Sequence, residues 1–215
     1  MTSSPRPRPD AASGGYALPT KSNFFVVTGG PGVGKTTLLA ELARRGQLTV
    51  AENARAVIAE QTAAGGDGVP WRDNRRFCDL TTARDIADFD RLSDETRPVF
   101  FDRGIIDVWG ANGTPPSDAL REAVRTRRYN HTVFVLPPWR EIYGTDAERR
   151  QTWDEAQATF PRILTMLRET GYASLIVPAG DVPTRAAFVL ERAAQVSTNA
   201  FSSTKSPGDA IDPST

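Results

Sequence analysis

Apolar residues in this chain fall in short blocks with polar, helix-patterned segments between them. Phe24–Val27, "RPVFFD" (97–102), "HTVFVLPP" (131–138) and "YASLIVP" (172–178) are nearly continuous apolar runs bounded by turn residues. The first three read as strands covered on both faces, and the fourth as the last strand. "LTVAE" (48–52) reads as a further short strand. Between the runs, apolar residues recur at helical spacing. Leu38, Leu39 and Leu42 predict a helix over about 34–45, closed by Gly46 at the position after its C-cap. Ala54, Val57, Ile58 and Ala64 form the stripe of a helix opening at 52, and Phe77, Leu80 and Ala87 that of one over 73–92. Helices follow at 117–128, in "DAERRQTWDEAQATF" and "RILTMLRET" with a break or kink expected at Pro161, and at 182–196 with Pro183 in the first turn. "GGDGVPW" (65–71) is a glycine-rich loop.

Strands that alternate with helices imply an α/β fold, a mostly parallel sheet with helices on both faces. Ligands of such sheets bind beyond the carboxyl ends of the strands. The loops after residues 28, 52, 102 and 138 are therefore expected on one rim.

The first of those loops carries the strongest chemical signal. Gly29, Gly30, Pro31, Gly32, Val33, Gly34, Lys35 and Thr36 fit G-x-x-x-x-G-K-[ST] between a buried strand and a helix, with Thr37 following. The glycines let backbone N–H groups converge on an anion, and the helix adds its positive dipole end. Lys35 is expected to reach the β- and γ-phosphates of a nucleotide and the Thr36 hydroxyl to bind Mg²⁺. Only three lysines stand against 23 arginines, and Lys35 is the sole lysine between residues 22 and 204, consistent with a site that needs a compact ammonium.

Charge and composition narrow the classes. With 26 basic and 26 acidic residues the chain lacks the basic surplus of a nonspecific nucleic-acid binder, so no nucleic-acid partner is expected. A single cysteine, Cys78, excludes an internal disulfide and fits a reducing compartment. No apolar run approaches the roughly 18 residues of a membrane span. "MTSSPRPRPDAASGGYALPT" lacks the apolar segment of a secretory signal, and a cytoplasmic location is expected. Its Pro, Ser and Gly content reads as a disordered arm over 1–21, and residues 198–215 read as a disordered tail, leaving one domain over 22–197.

"VFFD" ends on Asp102, a carboxylate at the tip of a buried strand and a candidate Mg²⁺ anchor beside the phosphate loop; the same aspartate could instead cap a helix beginning in "DRGIID". Arg103 could steer a second substrate or a phosphate, or pair with Asp107 four residues on.

"FFVVTGGPGVGKTTLLAEL", "VAENAR", "VFFDRGIID" and "DAERRQTWDEA" together resemble the small P-loop ATPase family related to nicotinamide riboside kinase, akin to the deoxynucleoside kinases. The resemblance covers about residues 22–190. It implies a P-loop NTPase fold of nucleoside/nucleotide-kinase type: a three-layer α/β/α sandwich around a five-stranded parallel core, with a helical lid near 140–160. It also implies ATP and Mg²⁺ as cofactors, Gly29–Thr36 as the ATP loop, and Asp102 and Arg103 as the acid–arginine pair ending the third strand. Glu52 matches an acid that ends the second strand in such kinases and accepts a proton from the substrate hydroxyl, although the proline expected in that turn is missing here. By analogy the resemblance allows a homodimer.

Phosphoryl transfer depends mainly on position and charge neutralisation. Arg149 and Arg150 fall where a lid would close and are candidates to complete the charge around the γ-phosphate; a helical salt-bridge face is the other reading. Glu52 and Asp102 compete as general base, and Glu52 is the freer if Asp102 is committed to metal. For the acceptor, Trp71 and Arg75, with Glu52 and Arg103, and Asp107 and Trp109 further on, could line a pocket for a flat ring; packing is the ordinary role of the tryptophans.

The expected function is an ATP-dependent kinase that transfers the γ-phosphate to a hydroxyl of a nucleoside-like or other small metabolite. The alternative is a P-loop ATPase acting as a switch or nucleotide-binding module without an acceptor. A GTPase is excluded by the absence of [NT]-K-x-D, a transporter ATPase by the absence of an L-S-G-G-Q-like signature. An oligomeric motor is disfavoured by the lack of room for a further helical domain.

Overall fold

The computed structural model of the 215-residue chain describes residues 20–142 and 153–202. The arm over 1–19, the lid segment 143–152 with Arg149 and Arg150, and the tail from 203 onward lie outside the described residues.

Five strands, β1 (Phe24–Gly29), β2 (Leu48–Val50), β3 (Val99–Asp102), β4 (Thr132–Leu136) and β5 (Ala173–Ile176), form one sheet in the order β2-β3-β1-β4-β5. Every pairing is parallel. Six helices connect and cover them: α1 (Lys35–Arg44), α2 (Asn53–Ala63), α3 (Asn74–Arg91), α4 (Asp118–Thr126), α5 (Trp153–Glu169) and α6 (Val182–Ser202).

The continuous apolar runs have a simple physical reading in three layers. Side chains alternate across a strand, so Phe24, Val26, Val99, Phe101, Val133 and Val135 point to one face. There they meet Val57 of α2, Phe77 and Phe89 of α3, Leu120 of α4 and Leu167 of α5. Phe25, Val27, Phe100, Phe134 and Leu136 point to the other face, against Leu38 and Leu42 of α1 and Val189 of α6. Both faces are dry, and each fully buried phenylalanine contributes on the order of 1.5–3 kcal/mol.

The order of strands sets the position of the site. From β1 the chain crosses out to β2, returns to β3 beside β1, and then places β4 on the opposite side of β1. Ligands of open parallel sheets bind where such a reversal leaves a crevice. The crevice here opens beyond Gly29, and Val27 of β1 lies level with Asp102 of β3.

Several boundaries differ from the sequence expectation. Pro161 lies inside α5 without ending it, because one missing N–H removes only one rung of a 17-residue helix packed through Ile163, Met166 and Leu167. α6 continues to Ser202, five residues into the stretch expected as tail. At the other end Thr20 bridges to Arg128 and the Lys21 N–H donates to the Arg128 carbonyl at 2.8 Å, so the last two residues expected in the arm are tied to the fold.

Candidate active site

β1 ends on Gly29 at φ 152°, and a Cβ there would stand 2.7 Å from the Leu136 carbonyl oxygen. Only glycine fits this approach of β1 to β4. The loop then turns through Gly32 and Gly34, both left-handed at φ 72° and 81°, and enters α1 at Lys35. Thr36 and Thr37, in the first turn, are exposed.

The Lys35 ammonium folds back onto the loop and donates to the Gly29 and Gly30 carbonyls at 3.0 and 2.9 Å. It is buried. Burial, and then the neighbouring Arg103 charge, lower its pKa to about 7, against the opposing pull of Glu52, Asp102 and Asp107. A lysine so close to losing its proton is an electrostatic demand for an added anion.

Arg103 follows Asp102 in a left-handed conformation, φ 67°, the only positive φ outside glycine among the described residues. Such backbones persist where surrounding bonds over-determine them. Here the Arg103 N–H donates to the Val27 carbonyl at 3.0 Å. Its guanidinium donates to the Gly29 carbonyl at 3.0 Å, to Glu52 Oε1 at 3.1 Å and to Asp107 Oδ1 at 3.4 Å. The acids outweigh burial and raise its pKa. Asp107 in turn accepts from the buried Thr28 hydroxyl and from the Gly104 N–H at 3.0 Å. Gly104 lies against Tyr129, whose ring a Cβ would meet at 3.0 Å, and the Tyr129 hydroxyl accepts from the Ile105 N–H at 3.3 Å. Of the two readings of Arg103 that the sequence left open, the structure shows the pairing with Asp107; the guanidinium also reaches the Gly29 carbonyl of the phosphate loop.

Asp102 is 8% exposed, and its Oδ1 has no hydrogen-bond partner. Burial raises its pKa although Lys35 pulls the other way. Glu52 is occupied on both oxygens, by Arg103 and by Arg55 Nε at 3.0 Å. Burial alone would raise its pKa, but Arg103, Lys35 and Arg55 hold it below the ordinary range. Of the two acids, Asp102 has an unpartnered oxygen and Glu52 has both oxygens engaged by arginines.

An orphaned buried carboxylate oxygen at the end of β3 and an exposed threonine hydroxyl on the phosphate loop are donors of the kind taken by a hard divalent cation that has few protein ligands and completes its shell with phosphate and water. No group of three or more His, Cys, Asp or Glu that could hold a metal alone occurs among the described residues.

Two cavities meet the loop from opposite ends. One, of about 440 Å³, runs from Gly32–Thr37 to Trp139, Asp181 and Arg185. The other, of about 1170 Å³, begins at Pro31 and Arg103 and extends between Trp109 and the α5 side chains Arg162, Met166 and Glu169. Trp71 and Arg75 line neither: Trp71 is 67% exposed on the α2–α3 loop, and Arg75 is on the outer surface of α3. The structure thus leaves Glu52, Arg103, Asp107 and Trp109 near the loop and removes Trp71 and Arg75 from it. The sequence reading missed Trp139 and Arg185. A signal for Arg185 existed: it falls at helical spacing with the buried Ala186, Val189 and Ala193, where an arginine is out of place.

A family model described as an AAA domain matches residues 24–185, most of the chain, and the chain belongs to that family. No curated protein matches the sequence. Among solved structures, the NadR protein in complex with NR is similar with a TM-score of 0.59 and 21% identity over 83% of this chain. The match spans 52% of the NadR chain, about half its length. Shikimate kinase from Acinetobacter baumannii in complex with shikimate aligns over 88% of this chain and 97% of its own, with 15% identity and a TM-score of 0.43. The P-loop α/β fold expected from the motifs is the fold found. No described helix is long and apolar enough to cross a membrane.

Proposed function

We propose that this protein is an ATP-dependent small-molecule kinase that transfers the γ-phosphate of Mg-ATP to a hydroxyl of a nucleoside-like or other small metabolite. The observation that carries this reading is the pair of cavities on either side of one phosphate loop. The smaller, at Gly32–Thr37, suits the nucleotide; the larger, opening at Pro31 and Arg103, suits an acceptor. A plain ATPase needs only the first.

Nucleotide phosphates bind the loop N–H groups, and Lys35 turns from the Gly29 and Gly30 carbonyls to meet them. Thr36 and Asp102 would hold Mg²⁺, which would supply neutralisation of the phosphate charge. The acceptor oxygen bonds to the γ-phosphorus, the bond to the β–γ bridging oxygen breaks, and ADP leaves. Arg103 turns from the Gly29 carbonyl toward the transferred group, and that motion frees Glu52 Oε1 to take the hydroxyl proton.

Purified protein with Mg-ATP tests this: ADP release should be negligible until an acceptor from a panel of nucleosides and small alcohols is added, and a phosphorylated acceptor should then appear by mass spectrometry. Fast ADP release that no compound in the panel alters would favour a regulatory ATPase and remove the kinase reading.

A further inference from the structure

Arg185 is the most deeply buried arginine among the described residues, 3% exposed, and it lies in the wall of the smaller cavity. It stands in the first turn of α6, where the helix dipole disfavours a cation. One guanidinium nitrogen, Nη2, donates to the Val33 carbonyl at the top of the phosphate loop, 3.0 Å away. Nε is buried with no partner. The guanidinium lies 5.9 Å from the centre of the Trp139 ring. Among the described residues no acid is paired with it. Asp181, the closest in sequence, caps α6 by accepting from the Thr184 N–H at 2.8 Å. Burial alone acts on Arg185, lowering its pKa.

A buried cation without a counter-charge is costly, and natural folds rarely retain one for stability. Its surroundings do not offset that cost: Lys35, Arg55 and the N-termini of α1 and α6 line the same cavity, and the one acid in its lining, Asp181, is engaged at the α6 cap. The arrangement is uncompensated only while the cavity holds no anion.

We propose that Arg185 is a binding residue of the nucleotide site, whose buried charge, unmatched by any acid among the described residues, is balanced by the polyphosphate. Its bond to the Val33 carbonyl adds a positioning role. With that carbonyl held against α6, the loop N–H groups are left to face the anion. This inference rests on the reading of Gly29–Thr36 as a nucleotide site and adds a residue distant from the motif.

The test compares wild type with Arg185→Gln, which can keep a donor to Val33 but removes the charge. Calorimetry with Mg-ATP, with sodium tripolyphosphate and with adenosine is combined with thermal melts of each protein alone and with each compound. Ligand-free Arg185→Gln should melt at or above the wild-type temperature. Its affinity for Mg-ATP and for tripolyphosphate should fall about tenfold or more with a smaller dependence on salt, and its response to adenosine should be unchanged. A variant that melts lower but binds Mg-ATP as tightly as wild type would show a structural arginine and overturn the proposal. Equal loss toward adenosine would overturn it as well, since the charge would not be reading phosphate. If Arg185→Gln does not fold, Arg185→Lys keeps the charge with less disturbance: binding within about threefold of wild type supports the assignment, and a tenfold loss defeats it. Wild type that binds neither Mg-ATP nor tripolyphosphate would instead defeat the nucleotide reading itself, and this inference with it.

Discussion

Lys35 and Arg103 hold the same atom. The Gly29 carbonyl oxygen accepts from the Lys35 ammonium at 3.0 Å and from the Arg103 guanidinium at 3.0 Å. Two cations brought to one oxygen repel each other, and Arg103 is second only to burial in depressing the Lys35 pKa. A polyphosphate relieves that repulsion by giving both groups a better partner.

The first prediction is proton uptake on nucleotide binding. Lys35 keeps its proton only to about pH 7 in the ligand-free fold, against 10.5 when unperturbed. Between these values the unfolded chain binds more protons than the folded one, so this group makes the ligand-free protein more stable as pH rises. A bound phosphate reverses the preference by favouring the charged form. Calorimetry at pH 8 in buffers of different ionisation enthalpy should reveal uptake approaching one proton, absent in Lys35→Ala. Buffer-independent heats in wild type would contradict it.

The second concerns magnesium. Asp102→Asn should leave metal-free ATP binding within about threefold of wild type. The Mg²⁺-dependent gain in affinity should disappear, and turnover should fall by about a hundredfold or more. Retained magnesium dependence in this variant would remove Asp102 from the metal site.

The third concerns a buried acid outside the site. Asn53 Nδ2, at the start of α2, donates to Asp85 Oδ1 at 2.9 Å and Asp88 Oδ2 at 2.8 Å, joining α2 to α3. Burial raises the Asp85 pKa from 3.8 to about 7, even though the Asn53 hydrogen bond pulls it down. Across that window the folded state holds a proton that the unfolded state has lost, so this group's contribution declines as pH rises from about 4 to 7. Asp85→Asn keeps an acceptor for Asn53 and should raise stability at pH 8 but change it little at pH 4. Urea melts at both values check this; an equal effect at the two would refute the titration.

The fourth separates steric need from backbone strain. Gly29→Ala adds a Cβ 2.7 Å from the Leu136 carbonyl and should cost more than about 2 kcal/mol. Gly46→Ala, at φ 82° with nothing within 4 Å of the new Cβ, should cost only about 1 kcal/mol. Denaturant melts of the two variants should rank them in that order.

Much of the fold was legible in the chain. Three apolar runs became the central strands β1, β3 and β4, their two-sided burial following from the lack of alternation, while the run at 172–178 became the largely exposed edge strand β5; the glycine pattern became the phosphate loop. The cavities were less legible. Trp71 and Arg75 follow a glycine loop and look available, but α2 and α3 carry them outward, whereas the larger cavity formed against α5, whose sequence suggested only a helix interrupted at Pro161. Nothing local to "VAENAR" reveals that Arg103, 51 residues on, takes one of the Glu52 oxygens.

By itself the sequence determined what depends on neighbours along the chain: which segments are strands or helices, and where backbone N–H groups converge on an anion. Hydrophobic period and glycine spacing act over a few residues and need no knowledge of the rest. The strand order β2-β3-β1-β4-β5 decided the remainder. It brought Arg103 to Gly29 across 74 residues and Arg185 to Val33 across 152. Only then did burial set which charges are matched, because the cost of a charge depends on the water that packing removes, a quantity no local stretch of residues specifies.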